Sequence, residues 1–108
     1  MTYRLIVSLE AFEALDSFVD YIAVDQQSPL NAERWLAKAL KSLRSLRKFP
    51  HRCPPAPEND QYIHTIRMLI VDRCLFVFRV DEEAKAVRVL DFRHGSQLPR
   101  PLNLPSDG

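Results

Sequence analysis

Three runs in the second half of the chain decide its fold: Ile63-His-Thr-Ile-Arg-Met-Leu-Ile-Val71, Cys74-Leu-Phe-Val-Phe-Arg-Val-Asp81 and Ala86-Val-Arg-Val-Leu-Asp-Phe92. Each is rich in the β-branched and aromatic residues that suit a pleated, half-buried surface. Asp72-Arg73 separates the first pair, and Asp81-Glu82-Glu83-Ala84-Lys85 turns the chain between the second pair. Links this short close hairpins and cannot carry a parallel crossover, so the three runs predict an antiparallel meander.

Working back from the meander, Phe49 to Gln61 holds Pro50, Pro54, Pro55 and Pro57, which rule out a helix and predict an extended connection. Before it, Ser28-Pro29 is a helix start, and Ala32, Trp35, Leu36, Ala39, Leu40, Leu43 and Leu46 draw one apolar stripe behind it. Phe12, Leu15, Phe18, Val19 and Ile22 mark an earlier helix, with Ser8 as its cap, fading near Asp25-Gln26-Gln27. Residues 2–9 alternate, with Tyr3, Leu5, Val7 and Leu9 on one face, and predict a first strand. The expected fold class is α+β: an N-terminal strand, a helical hairpin, then the three-stranded meander. The first strand is expected at the edge or in the middle of that meander. One domain over residues 1–94 is expected, followed by a proline-rich tail, 95–108, that is extended over the surface or disordered.

Composition agrees with one small domain: 108 residues, 46% hydrophobic and 27% charged, with a net charge of +1. The apolar runs Met68–Val71 and Leu75–Phe78 are far shorter than the ~20 residues a membrane-spanning helix needs. The first residues lack a signal-peptide layout, and Cys53 and Cys74 form neither a disulfide framework nor a metal-ligand spacing. A cytoplasmic protein without membrane contact, metal or cofactor is the expectation. Charge is uneven: residues 1–32 carry one basic and five acidic side chains, whereas residues 33–52 carry seven basic and one acidic. Such asymmetry points to a polyanion or an acidic partner, or to two helices whose solvated faces attract.

Several landmarks, taken in order, are similar to the RelE/ParE superfamily of bacterial type II toxin–antitoxin toxins. They are Glu10-Ala-Phe-Glu-Ala-Leu-Asp16 through Tyr21-Ile22-Ala23, then Ser28-Pro29-Leu-Asn-Ala32-Glu33-Arg34-Trp35. Next come Ser42-Leu43, Leu46 and Phe49-Pro50, then Ile66-Arg67, Phe76-Val-Phe-Arg-Val80, and Val87-Arg-Val-Leu-Asp-Phe-Arg-His-Gly95. The resemblance covers about residues 3–98 and implies a growth-inhibiting toxin. Its partner would be a cognate antitoxin with a disordered segment that folds on binding, giving a hetero-oligomer. It also implies one of two targets: DNA gyrase for ParE-like members, or the ribosome and its mRNA for RelE-like endoribonucleases.

Metal-independent RNA cleavage needs an activated 2′-hydroxyl, a stabilised phosphate and a protonated leaving oxygen. From the resemblance, Glu58 is the candidate base, Arg67 the phosphate-holding cation and His94 the acid. Without catalysis, Glu58 reads as a solvated loop carboxylate and Arg67 as the partner of a helix carboxylate such as Asp16 or Asp20. His94 then reads as a structural histidine. Arg34, Lys38, Lys41 and Lys48 form a basic stripe for a nucleic acid or protein partner, and Arg73, Arg88 and Arg93 are further phosphate-binding or plain surface charges. Trp35 and the phenylalanines read as core.

The chain departs from the nuclease pattern in three places. Leu75 stands where those nucleases keep an arginine, Arg67 stands alone where they pair lysines, and no aromatic residue follows Phe92. The ParE-like function is therefore the expectation adopted, with mRNA cleavage as the alternative. Two further alternatives are a degenerate module that only binds antitoxin and represses its operon, and a plain nucleic-acid-binding scaffold.

Overall fold

The computed structural model describes residues 2–104. Its elements are strand β1 (Arg4–Val7), helix α1 (Leu9–Asp20), helix α2 (Pro29–Ser45) and strands β2 (Arg67–Val71), β3 (Cys74–Asp81) and β4 (Ala86–His94). A π-helical turn, Tyr21–Asp25, extends α1, and two 3-10 turns, Pro50–Arg52 and Asn59–Gln61, interrupt the proline-rich connection.

The strands form one sheet in the order β1-β4-β3-β2. The meander is antiparallel, as its short links require, while β1 lies at the edge and runs parallel to β4. The long path through both helices permits that parallel neighbour. A register shift at Val77/Phe78 pairs Phe78 with Val89 and leaves Leu90 as the extra residue of a bulge.

Local chemistry accounts for the helix limits. Ser8 caps α1, its Oγ accepting from the Ala11 N–H at 3.1 Å while its own O–H donates to the Leu90 carbonyl at 3.0 Å. Gln27, in the left-handed region with φ 51°, breaks the chain before α2. Ser28 occupies the cap position of α2 with Pro29 behind it, but only its carbonyl is used, accepting from the Ala32 N–H at 3.0 Å.

Both faces of the sheet are covered. Phe76, Phe78, Val87, Val89 and Phe92 meet Ala11, Leu15, Ala39, Leu43 and Leu46 of the helical hairpin. Phe92 is the aromatic hub, its ring centroid 4.8 Å from Phe76, 5.6 Å from Phe18 and 5.7 Å from Trp35. On the opposite face Leu75 and Val77 are buried with Ala56 of the proline-rich connection and Ile66 of the loop that follows it, and Leu102 and Leu104 of the tail pack against them. Burial on two faces explains why β3 begins as the unbroken apolar run Cys74–Phe78 rather than an alternation.

Four expectations are corrected, the first being that Phe12 and Phe49, read as core, are exposed. Val7 and Leu9 are exposed, because the helix already begins at Leu9. The second strand starts at Arg67 instead of Ile63. Residues ahead of it belong to a folded loop in which the Ile66 N–H donates to Asn59 Oδ1 at 2.7 Å. The proline connection is not simply extended: it folds back so that the Met68 N–H donates to the Pro54 carbonyl at 3.0 Å. A proline still offers its carbonyl, so the connection lines the start of β2 without needing the missing donors.

The described part of the tail, residues 95–104, crosses the second face of the sheet. There Arg100 pairs with buried Asp91, and the Leu102 N–H donates to the Tyr62 hydroxyl at 2.9 Å. The expectation for Pro105–Gly108 lies outside the described residues. No helix among the described residues is long and apolar enough to cross a membrane.

Candidate functional site

Among the described residues, the carboxylate expected to act as a base is the most deeply buried charge. Glu58 is 1% exposed, and its two oxygens accept from Arg93 Nη1 at 2.5 Å and Nη2 at 3.0 Å. The fork of a guanidinium matches a carboxylate in this way, and the pairing spends both groups. Glu58 therefore has no open approach for a 2′-hydroxyl, and Arg93, 5% exposed, is not available to hold phosphate or a partner. The physical cause lies in strand alternation: Arg93 pairs across from Leu75 on the second sheet face, which the connection closes over.

Arg67 opens β2, and its Nη1 donates to the Cys53 carbonyl at 2.7 Å and the His51 carbonyl at 3.4 Å. Two carbonyls of the proline-rich connection hold that nitrogen, in place of Asp16 or Asp20 of α1. His94 ends β4, half-buried, with Nδ1 2.7 Å from Ser96 Oγ and accepting from the Ser96 N–H at 3.1 Å. That contact assigns the ring proton to Nε2. His94 borders a groove of about 550 Å³ whose walls include Phe18, Tyr21, Trp35 and Arg73.

Arg67 pairs with Phe78 and His94 with Cys74, four residues apart along β3. Strand rise and spacing then separate Arg67 from His94 by roughly 16 Å. The structure does not bring the three proposed catalytic groups together.

The basic stripe is exposed as expected: Arg34, Lys38, Lys41 and Lys48 all face solvent along and just beyond α2. Lys38 reaches Asp72 at 2.6 Å, and Arg73 is exposed beside it in the β2–β3 turn. Arg88 shares Asp81 with Arg79, at 3.0 Å and 3.4 Å. The Ala84 N–H, followed by the Arg88 bond, holds the Asp81 carboxyl below its ordinary range.

One cluster escaped sequence reasoning because its members lie far apart in the chain. The Tyr3 hydroxyl donates to Glu82 at 2.9 Å, His51 Nε2 lies 3.1 Å from the same carboxylate, and Lys85 Nζ reaches it at 3.1 Å. The Tyr3 bond, and then Lys85, hold Glu82 below its usual range, while the same bond raises the Tyr3 phenol. Because Asp81 and Glu82 are both depressed on folding, what they add to stability is present at neutral pH. It disappears as pH falls through their lowered values.

Both cysteines are buried free thiols. Burial is the main cause of a raised pKa at each, and it pushes Cys74 up to about 11. Neither thiol should react with a disulfide reagent at pH 8 in the folded protein, and both should react once it is denatured. A fast-reacting thiol in the native state would overturn this reading.

A family profile described as the ParE toxin of the type II toxin–antitoxin system, parDE, matches residues 5–99. The chain belongs to the ParE toxin family. Among solved structures, this ParE-family chain is similar to one from the chromosomal ParDE TA system of P. aeruginosa, with a TM-score of 0.67 and 18% identity. That match covers 86% of this chain and 96% of the other. It is also similar to a chain of the toxin–antitoxin complex RelBE2 from Mycobacterium tuberculosis, with a TM-score of 0.65 and 16% identity, over 90% of this chain and 95% of that one. At these identities the likeness establishes a shared fold. No curated protein matches the chain significantly.

Proposed function

We propose that this ParE-family toxin inhibits growth by acting on DNA gyrase in the cytoplasm, and that a cognate antitoxin neutralises it. The observation that carries the gyrase reading over mRNA cleavage is the sealed second face of the sheet. There Leu75 replaces the arginine of the related nucleases and is 8% exposed beneath the proline-rich connection, and the Glu58–Arg93 pair closes the same face. An RNA phosphate has no entry to that surface. Arg67 and His94 lie too far apart to supply the chemistry from elsewhere.

Apolar surface left open on the helical hairpin supports the antitoxin partner. Leu9, Phe12, Leu30 and Leu40 are exposed on α1 and α2 and offer apolar contacts to such a partner. An amphipathic, acidic segment that folds on contact suits this face, and toxin and antitoxin then form a hetero-oligomer.

Pulse-labelling in the first minutes after tightly controlled induction in bacteria tests the target. Thymidine incorporation should stop while leucine incorporation continues; the reverse order would overturn the gyrase reading. In the same assay Arg67→Ala should keep its growth inhibition, losing only about 1–2 kcal/mol of stability from its carbonyl hydrogen bonds. Loss of inhibition in a folded Arg67→Ala protein would return Arg67 to the functional site.

A further inference from the structure

Between Glu33 and Glu58 the chain has seven cationic side chains and no carboxylate. The fold turns this run into a surface. Arg34, Lys41 and Lys48 follow one another along α2 and the turn beyond it, with Arg44 flanking them, and all four are exposed. Arg52 joins them from the following 3-10 turn. It donates from Nη2 to Ser45 Oγ at 2.6 Å and from Nη1 to the Phe49 carbonyl at 2.7 Å, which lays its guanidinium on the same face. Phe49 stands at the end of this ribbon, 70% exposed between Lys48 and Arg52. Among the described residues none of these five cations has a carboxylate within ion-pair distance, whereas Lys38 has Asp72.

We infer that this end of α2 docks on duplex DNA, the cations lying along one phosphate backbone and Phe49 wedging at a base step. The helical rise spreads Arg34 to Ser45 over roughly 16 Å. A duplex strand presents a phosphate every ~3.4 Å of its axis, so the ribbon meets several phosphates at once. Repulsion among five uncompensated like charges has no structural return, and a polyanion supplies the missing countercharge. The lone aromatic favours duplex over single strand, because single-strand binders stack successive bases on several rings, whereas apolar wedges act one at a time. The inference stands apart from the gyrase reading, because it concerns direct contact between this chain and DNA.

The test is fluorescence anisotropy of a labelled 20-base-pair duplex with the purified full chain, titrated in salt. Five phosphate contacts predict a slope of log K against log salt near about −4.5, which is a roughly 500-fold loss between 50 and 200 mM. The K41A/R44A/K48A variant should flatten that slope by about 2.7. Phe49→Ala should weaken binding roughly tenfold and leave the slope unchanged. All four side chains are exposed, so circular dichroism should show both variants folded.

Four results would overturn the inference: no duplex binding at 50 mM salt, a slope that the triple variant does not move, tighter binding of the matching single strand, or displacement of the duplex by poly-glutamate at equal charge. The last would assign the surface to an acidic protein. Failure of the gyrase reading would appear separately, in the labelling experiment.

Discussion

Glu58→Ala should cost about 3–5 kcal/mol of folding stability, because it leaves the Arg93 guanidinium buried without its counter-ion. For a chain of this size that corresponds to a fall in melting temperature of about 15–25 °C. Arg93 is the more exposed of the two at only 5% of its side chain, so water cannot take the place of the lost carboxylate. Its Nε already lacks a partner in the intact pair, which leaves no spare hydrogen bond to recruit. Replacing both residues with apolar ones of similar size, as in E58L/R93M, should recover most of the loss, since a well-packed apolar pair avoids the cost of desolvating the ions. Urea denaturation of the two single variants and the double variant closes the cycle. A base in catalysis would behave differently, leaving the melting temperature nearly unchanged while an activity disappeared. A Glu58→Ala protein as stable as the parent would contradict the buried clamp.

Leu75→Arg restores the residue type that the related nucleases carry, and the expected result is loss of folding without gain of cleavage. Leu75 is packed among Ala56, Ile66 and Val77, and its cross-strand neighbour is Arg93. A second guanidinium there would be buried beside the first, with Glu58 already committed to Arg93. Disrupted apolar packing and the unpaired charge together should cost about 3–5 kcal/mol. Thermal unfolding and primer extension on ribosome-bound mRNA read the two outcomes separately. A stable Leu75→Arg protein that cleaves mRNA would show that the second face opens readily, and would revive the nuclease alternative.

Legibility in the sequence followed the range of the interaction. The limits of β3 and the start of β4 were readable because hairpin turns and β-rich runs are local. Ser8 was readable as a cap because its partner is three residues away. The limits of β1 and β2 were not. Val7 and Leu9 looked like strand residues until the helix claimed Leu9, and Ile63 looked like strand until the loop around Asn59 held Ile66. The candidate site was least legible of all. Glu58 and Arg93 are 35 residues apart in sequence, so a loop glutamate and a strand-end arginine gave no sign that each would neutralise the other.

By itself, then, the sequence determined the α+β class, the order of elements, the antiparallel meander and the resemblance to the toxin superfamily. Each of these rests on periodicity, turn length or a run of landmarks. Only the tertiary structure decided that β1 lies parallel at the sheet edge, and that the proline-rich connection and the tail close the second face. It also decided that Glu58, Arg67 and Arg93 serve that closure. The reason is physical: whether a charged side chain meets water, substrate or an opposite charge depends on what the fold lays over it, and those covering segments come from the far ends of the chain.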